Sequence, residues 1–179
     1  MMVKVRKKDP LKYLISIDPG LSGTGVVHWI DRQPIFAQVM KPVMRDVREQ
    51  LKGGESDLIP RARDIAQNFL LAADGFNLVD TTVVIEFPEY QASAERAMGW
   101  KTGSLQRLTM FIGVLIGMMP NRWRIILVTP SGWKGQLPKD VVQRRMTNKY
   151  GAVKMIGLKV KTHAWDAVGI GHWALTQGA

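Results

Sequence analysis

The run Thr81-Thr82-Val83-Val84-Ile85 is β-branched at every position and closes on Glu86. A half-buried strand alternates apolar with polar residues; this one does not, so it is predicted to be a central strand buried on both faces. A sheet holding such a strand needs helices on both sides. The flanking segments can supply them. Leu58, Ala62, Ile65, Ala66, Phe69, Leu70 and Ala73 recur at three- and four-residue spacing, and Gly75 is placed to end that helix. Downstream, the residues from Gln91 to Met119 are helical in pattern, with a break around Gly99 to Gly103. The stretch Leu105 to Met119 is apolar almost all round and is predicted to be buried on more than one side. Gly113 and Gly117 lie four apart and admit a second backbone, which is either the sheet or another subunit.

Three more β-rich runs precede this unit: Tyr13–Asp18, Thr24–Ile30 and Pro34–Met40. The polar Asp31-Arg32-Gln33 separates the last two, so the three read as an antiparallel meander. Arg124–Val128 is a fifth strand, stopping at Thr129-Pro130. A basic helix over Pro138–Tyr150 follows, with its proline in the first turn. The final helix has an inner stripe of Ala164, Ala167, Val168, Gly171, Ala174 and Leu175, small enough to pack closely on a sheet. The class is α/β: a mixed five-stranded sheet, antiparallel meander plus parallel strands, with helices on both faces. No repeat or linker divides the chain, so residues 13–179 are read as one domain behind a basic N-terminal arm, residues 1–12.

Charge adds a partner class. The formal net charge is +10, and it is regional. Residues 1–12 hold five basic and one acidic side chain, including Lys4, Arg6, Lys7 and Lys8, and residues 121–179 hold ten basic against two acidic. A polyanion, nucleic acid first, is the expected partner. There are 0 cysteines, which excludes thiol catalysis, Cys-ligated zinc and disulfide scaffolds. The longest apolar run, Phe111 to Met119, falls far short of the ~20 residues of a spanning helix. No signal core follows the basic start, and a cytoplasmic protein is expected.

Candidate chemistry sits at element ends. Asp18 closes the first strand, Glu86 closes the fourth, and His163 and Asp166 lie three apart at the start of the last helix. With the first and fourth strands parallel neighbours, Asp18 and Glu86 emerge together at the carboxyl edge of the sheet. Carboxylates crowded together are pushed up in pKa unless a cation compensates. Three carboxylates and an imidazole suit two hard divalent ions, Mg²⁺ or Mn²⁺, about 3.5–4 Å apart, the arrangement that displaces phosphodiesters. Taken singly, each residue has a plainer explanation. Asp18 can start a Pro-Gly turn, Asp166 can face a helix dipole, and His163 can be an exposed first-turn residue. His28 and His172 are read as ordinary half-buried residues.

Gly20, Ser22, Gly23 and Gly25 give room for a phosphate backbone beside Asp18, or form a flexible turn. Lys134, Lys139, Arg144, Arg145 and Lys149 supply positive charge, with Lys139 at a helix start where anions bind. Tyr90, Trp100 and Trp133 can stack on bases or pack internally.

The ordered pieces Ile17-Asp18-Pro19-Gly20 with Gly23 to Gly25, Val84-Ile85-Glu86, Val128-Thr129-Pro130 with Trp133-Lys134 to Lys139, and His163-Ala164-Trp165-Asp166-Ala167 resemble the RuvC-type crossover junction endodeoxyribonucleases of the ribonuclease-H-like superfamily. The resemblance runs from Tyr13 to Leu175. It implies a ribonuclease-H-like fold and a metal site of Asp18, Glu86, His163 and Asp166. DNA contacts are expected from Lys134, Lys139 and Tyr90 by the resemblance, and from Arg144 and Arg145 by their charge. The resemblance also implies a homodimer, joined through the Leu105–Met119 helix, that resolves four-way (Holliday) DNA junctions by paired nicks using Mg²⁺ or Mn²⁺. Two features depart from the family. Its junction-entering aromatic, three positions after the glutamate, is Glu89 here, flanked by Pro88 and Tyr90, and the Lys134–Lys139 basic segment is shorter. The basic arm suits a phage or plasmid member.

Three alternatives share these residues: another ribonuclease-H-like nuclease cutting flaps or other branches, a fragment of an actin-like ATPase built on Asp18-Pro19-Gly20, and a DNA-binding module with a relic site. Substrate comparison, ATP binding and metal-dependent cleavage separate them.

Overall fold

The structure, a computed structural model, describes residues 11–41, 58–74, 81–89, 103–151 and 162–177. All of the basic arm except Leu11 and Lys12, together with Tyr90 and Trp100, lies outside the described residues.

The chain forms β1 (Tyr13–Asp18), β2 (Thr24–Ile30), β3 (Gln33–Met40), α1 (Leu58–Asp74), β4 (Thr81–Glu86), α2 (Ser104–Gly117), β5 (Arg124–Val128), α3 (Pro130–Lys134), α4 (Lys139–Tyr150) and α5 (Thr162–Gln177). The sheet order is β3-β2-β1-β4-β5. β1, β2 and β3 form the antiparallel meander, while β4 runs parallel to both β1 and β5. The five strands and their mixed pairing match the expectation. The β2–β3 turn is tight, with Asp31 at φ 48° and Arg32 at φ 67°. Two successive left-handed residues match the twist of the flanking strands.

Strand alternation divides the core into two layers. Ile15, Ile17, Val26, Val83 and Ile85 pack with Ala62, Ile65, Ala66 and Phe69 of α1 and with Phe111, Ile112 and Leu115 of α2. Leu14, Val27, Trp29, Val84 and Val128 pack with Val142 and Met146 of α4 and with Ala167, Val168, Ile170 and Ala174 of α5. The expected stripe of α5 is buried throughout. A Cβ on Gly171 would run into the Trp29 indole, so close approach there requires glycine. Trp29 Nε1 donates to Ser16 Oγ (2.8 Å), and Ser16 Oγ donates to the carbonyl of Ala167 (2.6 Å), tying β2, β1 and α5 together inside the core.

Several expectations need correction. α2 is buried along one stripe only; Met110 is 50% exposed, and Gly113 and Gly117 face outward. The apolar composition of that helix exceeds what this sheet covers. The basic helix begins at Lys139, with extended Pro138 as its cap instead of inside its first turn. The one-turn helix α3 adds to the helices expected from the sequence, and Thr129 followed by Pro130 is its start signal: Thr129 Oγ1 accepts from Gly132 N at 3.2 Å. His28 is fully buried, 3% exposed, between Phe36 and Phe69. His172 is half-buried as expected and bonds Tyr150 Oη through Nδ1 at 2.9 Å.

Candidate metal centre at the sheet edge

The register pairs Ile17 with Ile85, so Asp18 and Glu86 are the next residues outward on adjacent parallel strands. Both share the strand parity of Leu14, Ser16 and Val84, whose side of the sheet α5 covers. Asp18 and Glu86 therefore project toward α5. The first turns of α5 bring His163 and Asp166 to meet them, on the one helix face that three-residue spacing gives. Close approach of that helix depends on Gly25, opposite Asp18 in the register. A Cβ there would lie 3.1 Å from Ala164 N and would overlap the His163 backbone. A Cβ on Gly20 would sit 3.4 Å from His163 Cε1. The glycine-rich turn thus accommodates the start of α5, where its sequence alone read equally as room for a phosphate.

Asp18, His163 and Asp166 each offer one donor atom, and those atoms lie within 4.8 Å of one another. His163 Nδ1 is 2.7 Å from Asp18 Oδ2. With Asp18 ionised, Nδ1 carries the proton and donates it. Glu86 stands beside this trio. Its Oε2 accepts from Trp133 Nε1 at 2.5 Å, and it feels the charges of both Asp18 and Asp166.

The electrostatics are those of anions crowded out of water. Burial pushes the Asp18 carboxyl above its ordinary range, and the Asp166 charge adds to the shift, while the His163 hydrogen bond opposes it. Burial likewise raises Glu86, reinforced by Asp18 and opposed by the Trp133 hydrogen bond and the nearby Lys134 charge. The hydrogen bond to Asp18 raises His163 above 6.5, against partial burial. Crowded, buried carboxylates of this kind are stabilised by a nearby cation.

The basic residues are distributed unequally. Lys139 Nζ is 2.6 Å from Asp166 Oδ2, so it belongs to the acidic cluster itself. Lys134 is half-buried, 5.3 Å from the Trp133 ring centroid. Arg144 and Arg145 are exposed on α4. Trp133, open at the sequence level between stacking and packing, is buried and bonded to Glu86. Its lone indole N–H carried no sequence signal of that partner, 47 residues away. Glu89 accepts from Ser131 N at 3.4 Å.

No protein-family model and no curated protein matches the chain. Among solved structures, it superposes on Thermus thermophilus RuvC in complex with a Holliday junction substrate with TM-score 0.62 at 15% identity, over 93% of this chain and 96% of that one. The chain has the RuvC fold. A second T. thermophilus RuvC structure gives TM-score 0.51 at 15% identity over the same shares. The yeast mitochondrial Holliday junction resolvase Ydc2 gives 0.55 at 13%, over 95% of this chain and 82% of that chain. The RuvC resemblance carried by the ordered motifs is thus found again in three dimensions, along nearly the whole chain. Identity this low accounts for the silence of sequence comparison, since a fold persists while surface and loop residues change. Among the described residues, no helix is long and apolar enough to cross a membrane.

Proposed function

We propose that the protein is a divalent-metal-dependent endonuclease that resolves four-way DNA junctions as a homodimer. The observation that carries this reading is the convergence of Asp18, His163 and Asp166, with Glu86 beside them, at the carboxyl edge of a RuvC-like sheet. The donor set fits a hard cation. Carboxylate oxygens dominate it, one imidazole is compatible with Mn²⁺ as well as Mg²⁺, and two of the carboxyls are held above their usual range by burial, with neighbouring carboxylate charge adding to the shift. Asp18, Glu86, His163 and Asp166 are the residues to hold such ions, two per site. When bound, the ions supply an activated water and neutralise charge developing on the phosphodiester.

The chain's own residues do the rest. Asp18 orients the His163 ring through Nδ1, and Trp29, Ser16 and the Ala167 carbonyl hold α5 at a set height over the sheet. Lys139 and Lys134 place ammonium charge beside the carboxylates, where a phosphate arrives, and exposed Arg144 and Arg145 extend that charge along α4. The net charge of +10 supports a polyanionic substrate. The uncovered outer face of α2, with Met110, Gly113 and Gly117, supports a dimer contact. Two sites related by that contact give the paired nicks of like polarity.

The test compares cleavage of a four-way junction, a fork, plain duplex and single-stranded DNA, with Mg²⁺ and separately with Mn²⁺. Paired symmetric nicks confined to the junction are expected. Equal cutting of the junction and the fork assigns a broader branched-DNA nuclease, and binding without any cutting assigns a relic site.

A further inference from the structure

Glu86 and Trp133 come from separate segments, the tip of β4 and the single turn α3, yet Trp133 Nε1 donates to Glu86 Oε2. An indole offers one donor and no acceptor, so this bond engages one carboxylate oxygen and leaves Oε1 to another partner. The ring is held on several sides. A Cβ on Gly169 would lie 2.5 Å from Trp133 Cζ3, 3.1 Å from its Cη2 and 3.3 Å from Val142 Cγ1. Glycine at 169, three residues after Asp166 on the same helix, is therefore what lets the indole enter between α5 and α4. The Lys134 ammonium stands 5.3 Å from the ring centroid. The backbone of α3 is itself pinned by the Thr129 cap and by Ser131 N donating to Glu89. A rigid donor wedged against the helix that carries Asp166 thus ends on the carboxylate of Glu86.

We propose that Trp133 is the positioning residue of Glu86, its N–H holding the carboxylate in one orientation beside Asp18 and Asp166 and so setting the divalent-cation affinity of the site. The proposal rests on the metal-site reading of Glu86 given above. Groups that orient a metal-ligating carboxylate cost about 10–100-fold in affinity or activity when removed. A tryptophan that merely filled space would act through its ring, not its N–H.

Mn²⁺ binding to the full chain without DNA, read by electron paramagnetic resonance of the free ion, separates the two roles. Trp133→Phe keeps most of the ring and removes the donor, and a roughly tenfold weakening is expected. Gly169→Ala keeps Trp133 but displaces its ring, and it should weaken binding in the same direction even if the phenylalanine variant fails to fold. In a Glu86→Gln background, Trp133→Phe should add no further loss. Equal losses in both backgrounds would identify a packing effect and overturn the proposal, as would wild-type affinity in Trp133→Phe. Wild-type affinity in Glu86→Gln alone would overturn the metal-site reading of Glu86 and this proposal with it. Weakened binding in Glu86→Gln, with none in the Trp133 variants, would retire only the role of Trp133.

Discussion

His163 Nδ1 and Asp18 Oδ2 lie 2.7 Å apart although 145 residues of chain separate them. The pair joins the tip of β1 to the first turn of α5, and each partner alters the other's titration. Burial holds Asp18 protonated above its ordinary 3.8, while the hydrogen bond holds His163 protonated above 6.5. In both cases the folded state binds a proton more tightly than the unfolded chain. The stability each contributes is therefore present at low pH and declines as pH rises through the raised value.

Asp18→Asn removes the charge and should flatten that decline. The metal-free variant is expected to lose less stability than wild type as pH rises above the ordinary carboxylate range, measured by thermal denaturation at fixed ionic strength. The same variant should bind junction DNA normally and lose at least about 10²–10³-fold in cleavage, the scale of removing one group that stabilises charge in a reaction centre. A folded Asp18→Asn protein that cleaves at wild-type rate would remove Asp18 from the site.

His28 has the opposite sign. Its buried ring titrates at about 4 against an ordinary 6.5, because desolvation disfavours the imidazolium. Its neutral form is favoured on folding, so this stability is present above 6.5 and disappears as pH falls toward 4. The full effect is on the order of 3 kcal/mol. His28→Phe, set against Phe36 and Phe69, should make the protein more acid-resistant in urea titrations run at pH 7 and pH 4.5. An unchanged pH dependence would place the acid sensitivity elsewhere.

Gly113→Glu tests the outer face of α2. Nothing lies within 4 Å of a Cβ added there, and glycine inside a helix costs about 1 kcal/mol relative to better helix formers. The monomer fold should be unharmed or slightly stabilised, while like charges across the proposed two-fold contact should disrupt the proposed dimer. Light scattering should report half the wild-type mass, and junction nicks should become uncoupled. A variant that stays dimeric would move the interface off this face.

Arg32→Gly addresses the β2–β3 turn. Arg32 sits at φ 67°, a region that costs a residue with a Cβ roughly 1–2 kcal/mol, partly offset by the greater unfolded freedom of glycine. A gain of about 0.5–1 kcal/mol in chemical denaturation is expected, with cleavage unaffected because the turn lies at the opposite end of β2 from Gly25. Destabilisation would show that the Arg32 side chain holds a contact worth more than the turn strain.

Much of the architecture was legible from local pattern. A strand β-branched at every position has to be interior, which placed β4. Period-three-and-four spacing revealed α1 and the inner stripe of α5, and the polar Asp31-Arg32 break separated β2 from β3. The four residues of the candidate site were also legible as strand and helix ends, because the carboxyl edge of a parallel pair is where such ends meet. Burial on one side or two was harder to read for α2. Apolar composition reports that a face avoids water, not whether sheet or subunit covers it.

By itself, then, the sequence determined the five strands, the longer helices and their order, the two-sided covering of the sheet and the presence of Asp18, Glu86, His163 and Asp166 at element tips. Spacing along the chain dictates which residues share a face, and that is local physics. Only the tertiary structure decided that α5 lies over the strand face bearing Asp18 and Glu86, that Lys139 joins the cluster at Asp166, and that Trp133 donates to Glu86. Those contacts depend on strand register and on which helix closes over which face. Register and closure are set by the simultaneous packing of residues far apart in sequence, through glycines such as Gly25 and Gly169 whose purpose is visible only once their neighbours are in place.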